Sequence, residues 1–388
     1  MEQPSLKKQK TKENLKKSEI DVWQQKLKEI AEDFKNRGYN LNFMFFFESH
    51  DSQISETRIT KLLNKVDIYL PEFTSWEKTH LRLLEISSRG YLTKEDFQFF
   101  KDNNLTIEDN FKPNEKLNKE SLEKLVNNIK PEINGKFWLL QIAKRLLGKN
   151  KIIGLIDVPR DSNLYTLTEK AITSLYKFRY SLIKKNYSFE QALEKYNKIL
   201  KDFAITCLQK RDEFMLKNLP RVIRELIENN PSLQIKAKNK KPINILIVLG
   251  ASHTWIWHNL NKAGFKTKAE FEAFPVVHDF EHEIIRRYRF GKKVSQELLA
   301  KTLLATMFKF EFLKTRAFDT LMYKTYFHIT PHIRRIINAL TIDDLKKIYE
   351  RHRAFYKDPR QAKETPLEIW SEFIAKNKNS PKQFTENN

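Results

Sequence analysis

The chain has 388 residues and a formal net charge of +22, enough length for one large domain or two ordinary ones. Its hydrophobic content is 40%, with 28 Phe, so a sizeable core is available, while no apolar run approaches the ~20 residues of a membrane helix. The single cysteine, Cys207, cannot form an internal disulfide, and the charged start MEQPSLKKQKTKENLKK lacks the apolar stretch of a secretory signal, so a reducing, cytoplasmic address is expected.

Residues 1–17 read as a disordered basic tail. From Ser18, SEIDVWQQKLKEIAEDFKNRGY has a capping serine, early acids, apolar residues three to four apart and a glycine stop, which predicts a helix. Four short apolar runs read as buried strands: NFMFFF at 42–47, VDIYL at 66–70, KIIGLI at 151–156 and NILIVL at 244–249. Helical segments separate them. SETRITKLLNK lies between the first two, an all-helical stretch ending in GKFWLLQIAKRLLGK fills 73–150, and several long helices fill 158–243. One of these, about 188–229, sets Phe189, Leu193, Tyr196, Leu200, Phe203 and Cys207 on a single stripe, and Pro220 predicts a kink or break in it. After residue 265, AEFEAFPVV is compatible with another strand, and the chain then reads as helical to about 375.

Continuous apolar runs alternating with helices predict an α/β fold with a mixed, mostly parallel central sheet flanked by helices. The organisation expected is a tail over 1–17, an α/β core over 18–290 with helical insertions at about 73–150 and 158–205, a helical region over 291–375 and a polar tail over 376–388.

The positive charge raises nucleic acid as a partner. Most lysines, however, interleave with Glu and Asp at helical spacing, as in KKNYSFEQALEKYNKILKD. The dense runs are the tail and KAKNKKP at 236–242, and no zinc-finger spacing or RNP-like aromatic motif accompanies them. A small-molecule or peptide substrate is the better expectation.

In an open parallel sheet, ligands bind beyond the carboxyl ends of the strands, so those ends can be compared. The first strand delivers Glu48 and His50, the second Glu72, the third Asp157 and the fourth His253, in GASH. Every strand end thus carries an acid, an imidazole or both. Gly250 is expected to let the backbone turn sharply and a ligand come close. Ser252 or His253 would open the next helix, whose first amides favour an anion, although a polar residue there is also an ordinary cap. In LQKRDEFMLKNLPRVIREL, helical spacing puts Arg211, Met215 and Asn218 on one stripe. A buried arginine needs a partner. The strand-end carboxylates qualify, and a solvated pairing with Asp212 or Glu213 is the alternative.

An apolar strand ending in Glu-x-His, a second ending in Glu, an Arg-Asp-x-x-Met helix and ILIVLGASHTWIWHNLNKAGF together resemble the erythromycin-esterase/ChaN-like superfamily. The branch of TraB-type pheromone-shutdown proteins and Tiki-type metalloproteases is the most similar, with its Gly-x-x-His motif at Gly250–His253 and its later glycine at Gly264. The first Gly-x-x-His motif departs, because Phe47 stands where the glycine would be; FESH is instead similar to the esterase and ChaN branches. The resemblance covers about 42–72 and 205–265. It implies a hydrolase site built on His50, Glu72, Arg211 and His253, with Glu48 beside them and Asp157, Gly250 and Ser252 lining the ligand. Tiki-like relatives imply a divalent metal such as manganese, cobalt or zinc on His50, His253 and Glu72; esterase-like relatives imply water activation without one. Other relatives imply haem or small-ligand binding without catalysis.

Two readings compete. His278, Glu281 and His282 in VVHDFEHEIIRRYRF fit the H-x-x-E-H pattern of inverzincins, with Glu350 as a third zinc ligand. A non-catalytic protein offering its basic surface to an acidic partner is the other. His258, His328 and His332 have no acids at useful spacing and read as structural.

Overall fold

The computed structural model describes residues 24–48, 53–72, 78–105, 107, 111–129, 136–184, 187–272, 279–314 and 333–378. Its contacts divide the chain into two compact units, one from 1–165 and 211–272, the other from 166–210 and 273–388.

The first unit is built on a parallel sheet of five strands: β1 (Asn40–Glu48), β2 (Ile68–Pro71), β3 (Ile152–Ile153), β4 (Pro242–Gly250) and β5 (Lys266–Phe271), in the order β3-β2-β4-β1-β5. The register sets Glu48 beside Gly250 and Pro71 beside Val248. Both faces are covered, which is why β1 and β4 are apolar almost without interruption. Phe43, Phe45 and Phe47 of β1, with Ile243, Ile245, Ile247 and Leu249 of β4, face α1 (24–36), α9 (Lys210–Glu228), α10 (Pro231–Lys238) and α11 (Thr254–Lys262). Phe46, Leu246, Val248 and Tyr69 face α2 (Gln53–Leu63), α3 (Lys78–Arg89), α5 (Lys119–Ile129) and α6 (Lys136–Leu146). The short α4 (Lys94–Asp102) starts at a capping box between Thr93 and Asp96.

The α/β class is as the strand pattern predicts, with local differences. β3 pairs over two residues rather than six: after Ile153 only the Gly154 N–H still reaches β2, at the Tyr69 carbonyl. β5 starts earlier than AEFEAFPVV, and 273–278 lie outside the described residues. Pro220 causes no break, since α9 runs through it. The irregular stretch lies upstream, where Phe203–Gln209 forms a π-helix.

The order of strands creates a switch point. From β1 the chain moves past the position of β4 to β2 and β3, whereas from β4 it moves past β1 to β5. Connections leave the carboxyl ends of β1 and β4 in opposite directions, the arrangement that opens a crevice at that edge of a parallel sheet.

The second unit is helical among its described residues: α7 from residue 166 onward (Asn163–Lys184 overall), α8 (Phe189–Asp202), the π-helix, α12 (Phe280–Arg289), α13 (Gln296–Lys314), α14 (333–338), α15 (Ile342–Lys357) and α16 (Pro366–Lys378). Its core includes Phe178, Tyr196, Ile284, Leu303, Leu304, Ile348 and Trp370.

In the first unit Gly154, directly after β3, sits tightly against β2 and α9. A Cβ there would lie 2.8 Å from side-chain carbons of Leu70, Val222 and Leu226. Gly154→Val is expected to overpack this contact and cost about 1–3 kcal/mol. Urea unfolding of the variant against wild type measures it, and an unchanged midpoint would disprove the close packing.

Candidate active site

β4 ends at Gly250, and a 3-10 turn over Ala251–His253 leads into α11. The chain turns directly after Gly250, whose φ of −59° and ψ of 147° do not themselves require a glycine. This is extended backbone open to any residue. What Gly250 contributes instead is its N–H, which donates to Glu72 Oε2 at 2.5 Å. Ser252 is half-buried in the middle of the 3-10 turn. His253 occupies the position before α11 without capping it. Its ring turns inward and is almost wholly buried, at 2% exposure.

Both ring nitrogens of His253 meet carboxylates. Nδ1 is hydrogen-bonded to Asp212 Oδ1, and Nε2 lies 3.4 Å from Glu72 Oε1. Asp212 belongs to the first turn of α9 and has no exposed area. Its neighbour Arg211 is buried as well and spans two further carboxylates. Its Nη2 pairs with Glu72 Oε1 at 2.8 Å, its Nε donates to Asp157 Oδ1 at 2.8 Å, and Nη2 also reaches Asp157 Oδ2. Asp157, beyond β3, is fully buried, and its Oδ1 also accepts a hydrogen bond from the Val158 N–H. A chain of charges therefore runs Asp212, His253, Glu72, Arg211, Asp157 across the ends of β3, β2 and β4.

Of the residues expected at the strand ends, Glu72, Asp157, Arg211, Gly250 and His253 come together in this chain. Arg211, Met215 and Asn218 are all buried on α9, and the strand-end carboxylates are the partners of Arg211. Glu48 stands apart. It shares the sheet face of Phe46 and forms a buried ion pair with Arg145 of α6, at 3.0 and 3.4 Å. His50 lies outside the described residues, as do His278, His328 and His332.

Asp212 was not singled out by the strand ends, yet a signal for it exists. It stands three, four and seven residues before Met215, Leu216 and Leu219, on the buried stripe of α9. A carboxylate on an apolar stripe demands a partner. Arg145 gives no comparable signal.

Burial opposes a charge on His253, but the carboxylates of Asp212 and Glu72 outweigh it and raise the pKa from 6.5 to about 9. The two carboxylates thus favour the imidazolium form at neutral pH. This bears on metal binding, because a ligating imidazole must present a lone pair and a ligating carboxylate an open oxygen. Here His253 is engaged at both nitrogens, and Glu72 takes N–H groups from Arg211 and Gly250 on its two oxygens. Among the described residues no group of three or more His, Cys, Asp or Glu is placed to hold a metal ion. The Arg211 guanidinium already pairs with Glu72, and His50, the third ligand expected, lies outside the described residues.

The H-x-x-E-H residues of the second unit are committed elsewhere. His282 pairs with Asp279, the cap of α12, at 2.7 Å. Glu281 accepts from Tyr196 and Arg179, and Glu350 accepts from the Phe189 N–H and Arg353. Glu281 and His282, consecutive on α12, thus serve different partners.

The chain matches no family model, no curated protein and no solved structure.

The raised pKa of His253 makes stability depend on pH with a defined sign. Its folded value of about 9 exceeds the ordinary 6.5, so the stabilisation is complete below pH 6.5 and is lost as pH rises through 9. The loss attributable to this ring is expected to be on the order of 3 kcal/mol. Urea unfolding at several pH values, wild type against His253→Gln, isolates it. A variant with the same alkaline slope as wild type would show that His253 is not charged in the folded protein.

Proposed function

We propose that this chain is a hydrolase of the erythromycin-esterase/ChaN-like kind, acting on a small-molecule or peptide substrate through His253, Glu72 and Asp212 at the carboxyl edge of the sheet. The observation that carries the reading is the double engagement of His253: an imidazole hydrogen-bonded at Nδ1 to Asp212 and 3.4 Å from Glu72 at Nε2, beside an arginine, at the end of β4, one of the two strands that flank the switch point. A buried ring needs no such pair merely to be satisfied.

Hydrolysis needs one group to take a proton from water and another to give one to the leaving atom. Because His253 rests as an imidazolium, it enters as the acid, with the Nε2 proton as the one transferred. Glu72 takes the water proton; its side chain keeps 10% of its surface exposed, whereas Asp212 keeps none. After release of products the proton on Glu72 crosses to Nε2, 3.4 Å away, and restores the pair. Asp212 holds Nδ1 and keeps the ring oriented and charged. Arg211 and the Gly250 N–H hold Glu72, so Arg211 acts through position rather than on the substrate. No step in this reading uses a metal, since His253 and Glu72 are already engaged by Asp212, Arg211 and the Gly250 N–H.

A panel of activated esters, lactones and peptides, assayed in EDTA and again with manganese or cobalt, tests the reading. Turnover of at least one member is expected, and it should persist in EDTA. Glu72→Gln and His253→Asn should each lower kcat by about 10²–10⁴ with an unchanged far-UV spectrum. Activity should fall as pH passes about 9 and the imidazolium is lost. Absence of turnover across the panel, or full activity in His253→Asn, would end the proposal.

A further inference from the structure

Helix α7 carries an exposed aromatic face that the proposed chemistry leaves unused. Tyr176 and Tyr180 are 61% and 59% exposed, among the most exposed large apolar side chains of the described residues. Four residues apart, they lie on one side of the helix, separated by about 6 Å along its axis. Thr173 and Glu169 are exposed on the tyrosine stripe, and Lys170 and Lys177 are exposed along its flank, about a third of a turn around the helix. Over 166–184 the only acid is Glu169, against Lys170, Lys177, Arg179 and Lys184. The apolar side of the same helix is already used, since Leu175, Phe178 and Leu182 pack into the core of the second unit.

Tyr176 is also held. The Arg179 guanidinium lies 5.4 Å from the centroid of its ring. Arg179 is anchored by an ion pair to Glu281, which accepts the Tyr196 hydroxyl at 2.5 Å, and that hydroxyl is 2.9 Å from Thr306. A largely buried polar network thus fixes the cation beside an exposed ring. This gives Glu281 a role that its place in an H-x-x-E-H pattern does not.

We propose that this face of α7 binds single-stranded nucleic acid, with bases stacked on Tyr176 and Tyr180 and phosphates beside Lys170 and Lys177. Exposed rings one turn apart, with lysines along one flank, match the two features of a nucleotide: a flat π-face and an adjacent negative charge. An acidic peptide would use the lysines and leave the rings idle. A lipid surface would need a broad apolar face, and the apolar residues of this helix are turned into the core.

The test is fluorescence anisotropy of labelled 12-mer oligo-U and oligo-dT with the full chain, at low and moderate salt. Binding is expected and should weaken steeply with salt. A stacked base is worth about fivefold to a hundredfold in affinity, so Tyr176→Ala/Tyr180→Ala should weaken binding at least tenfold. Tyr176→Phe/Tyr180→Phe, which keeps both rings, should bind as wild type. Both positions are exposed, so the folds should remain intact by circular dichroism. No binding by wild type, equal binding by the alanine variant, or tyrosine-dependent preference for an acidic peptide or phosphatidylserine vesicles over the oligonucleotides would overturn the proposal.

Discussion

Three carboxylates and two cations removed from water at one sheet edge are the constraint on which the first unit depends. Asp157 and Asp212 have no exposed surface, and Glu72 has little. Burying a carboxylate alone costs several kcal/mol, and the cost is recovered only with close partners and good geometry. Each of the three has such a partner. Asp212 has His253, Asp157 has Arg211, and Glu72 has Arg211, the Gly250 N–H and the edge of the His253 ring. Removing any one cation would leave a buried anion stranded, so the group behaves as a unit.

The fold supplies this unit with few elements. Consecutive residues at the start of α9 carry both Arg211 and Asp212, so one helix placement sets two contacts. The parallel register brings the ends of β2 and β4 side by side, and the Glu72 N–H bonds the Val248 carbonyl at 2.8 Å, which fixes where its side chain begins. The close fit at Gly154 sets the seat of α9 against β2 and β3. Packing, pairing and charge therefore reinforce one another.

Much of this was legible in the chain. The apolar runs of β1 and β4 are long because both faces are covered, and hydrophobicity finds such strands directly. Edge strands were harder. β5, KTKAEF, alternates charge with small residues, as an edge does, and offers no apolar run. Glu72, Asp157 and His253 meet because a parallel sheet gathers the carboxyl ends of its strands, and helical spacing on α9 singles out Arg211, which joins them. The pairing of Glu48 is not legible in the same way, because a partner 97 positions away on α6 leaves no trace in local spacing. Asp212 was visible as a charge on the apolar stripe of α9 but was overshadowed by the arginine beside it.

The claim with the most consequences is the charge state of His253. Nitrogen-15 histidine spectra of the folded protein, recorded from pH 6 to 10, report both ring nitrogens directly. The account predicts that at pH 7 both carry protons, that the ring titrates near 9, and that Asp212→Asn moves the titration down. A neutral ring at pH 7 that titrates at or below the ordinary value of 6.5 would contradict it.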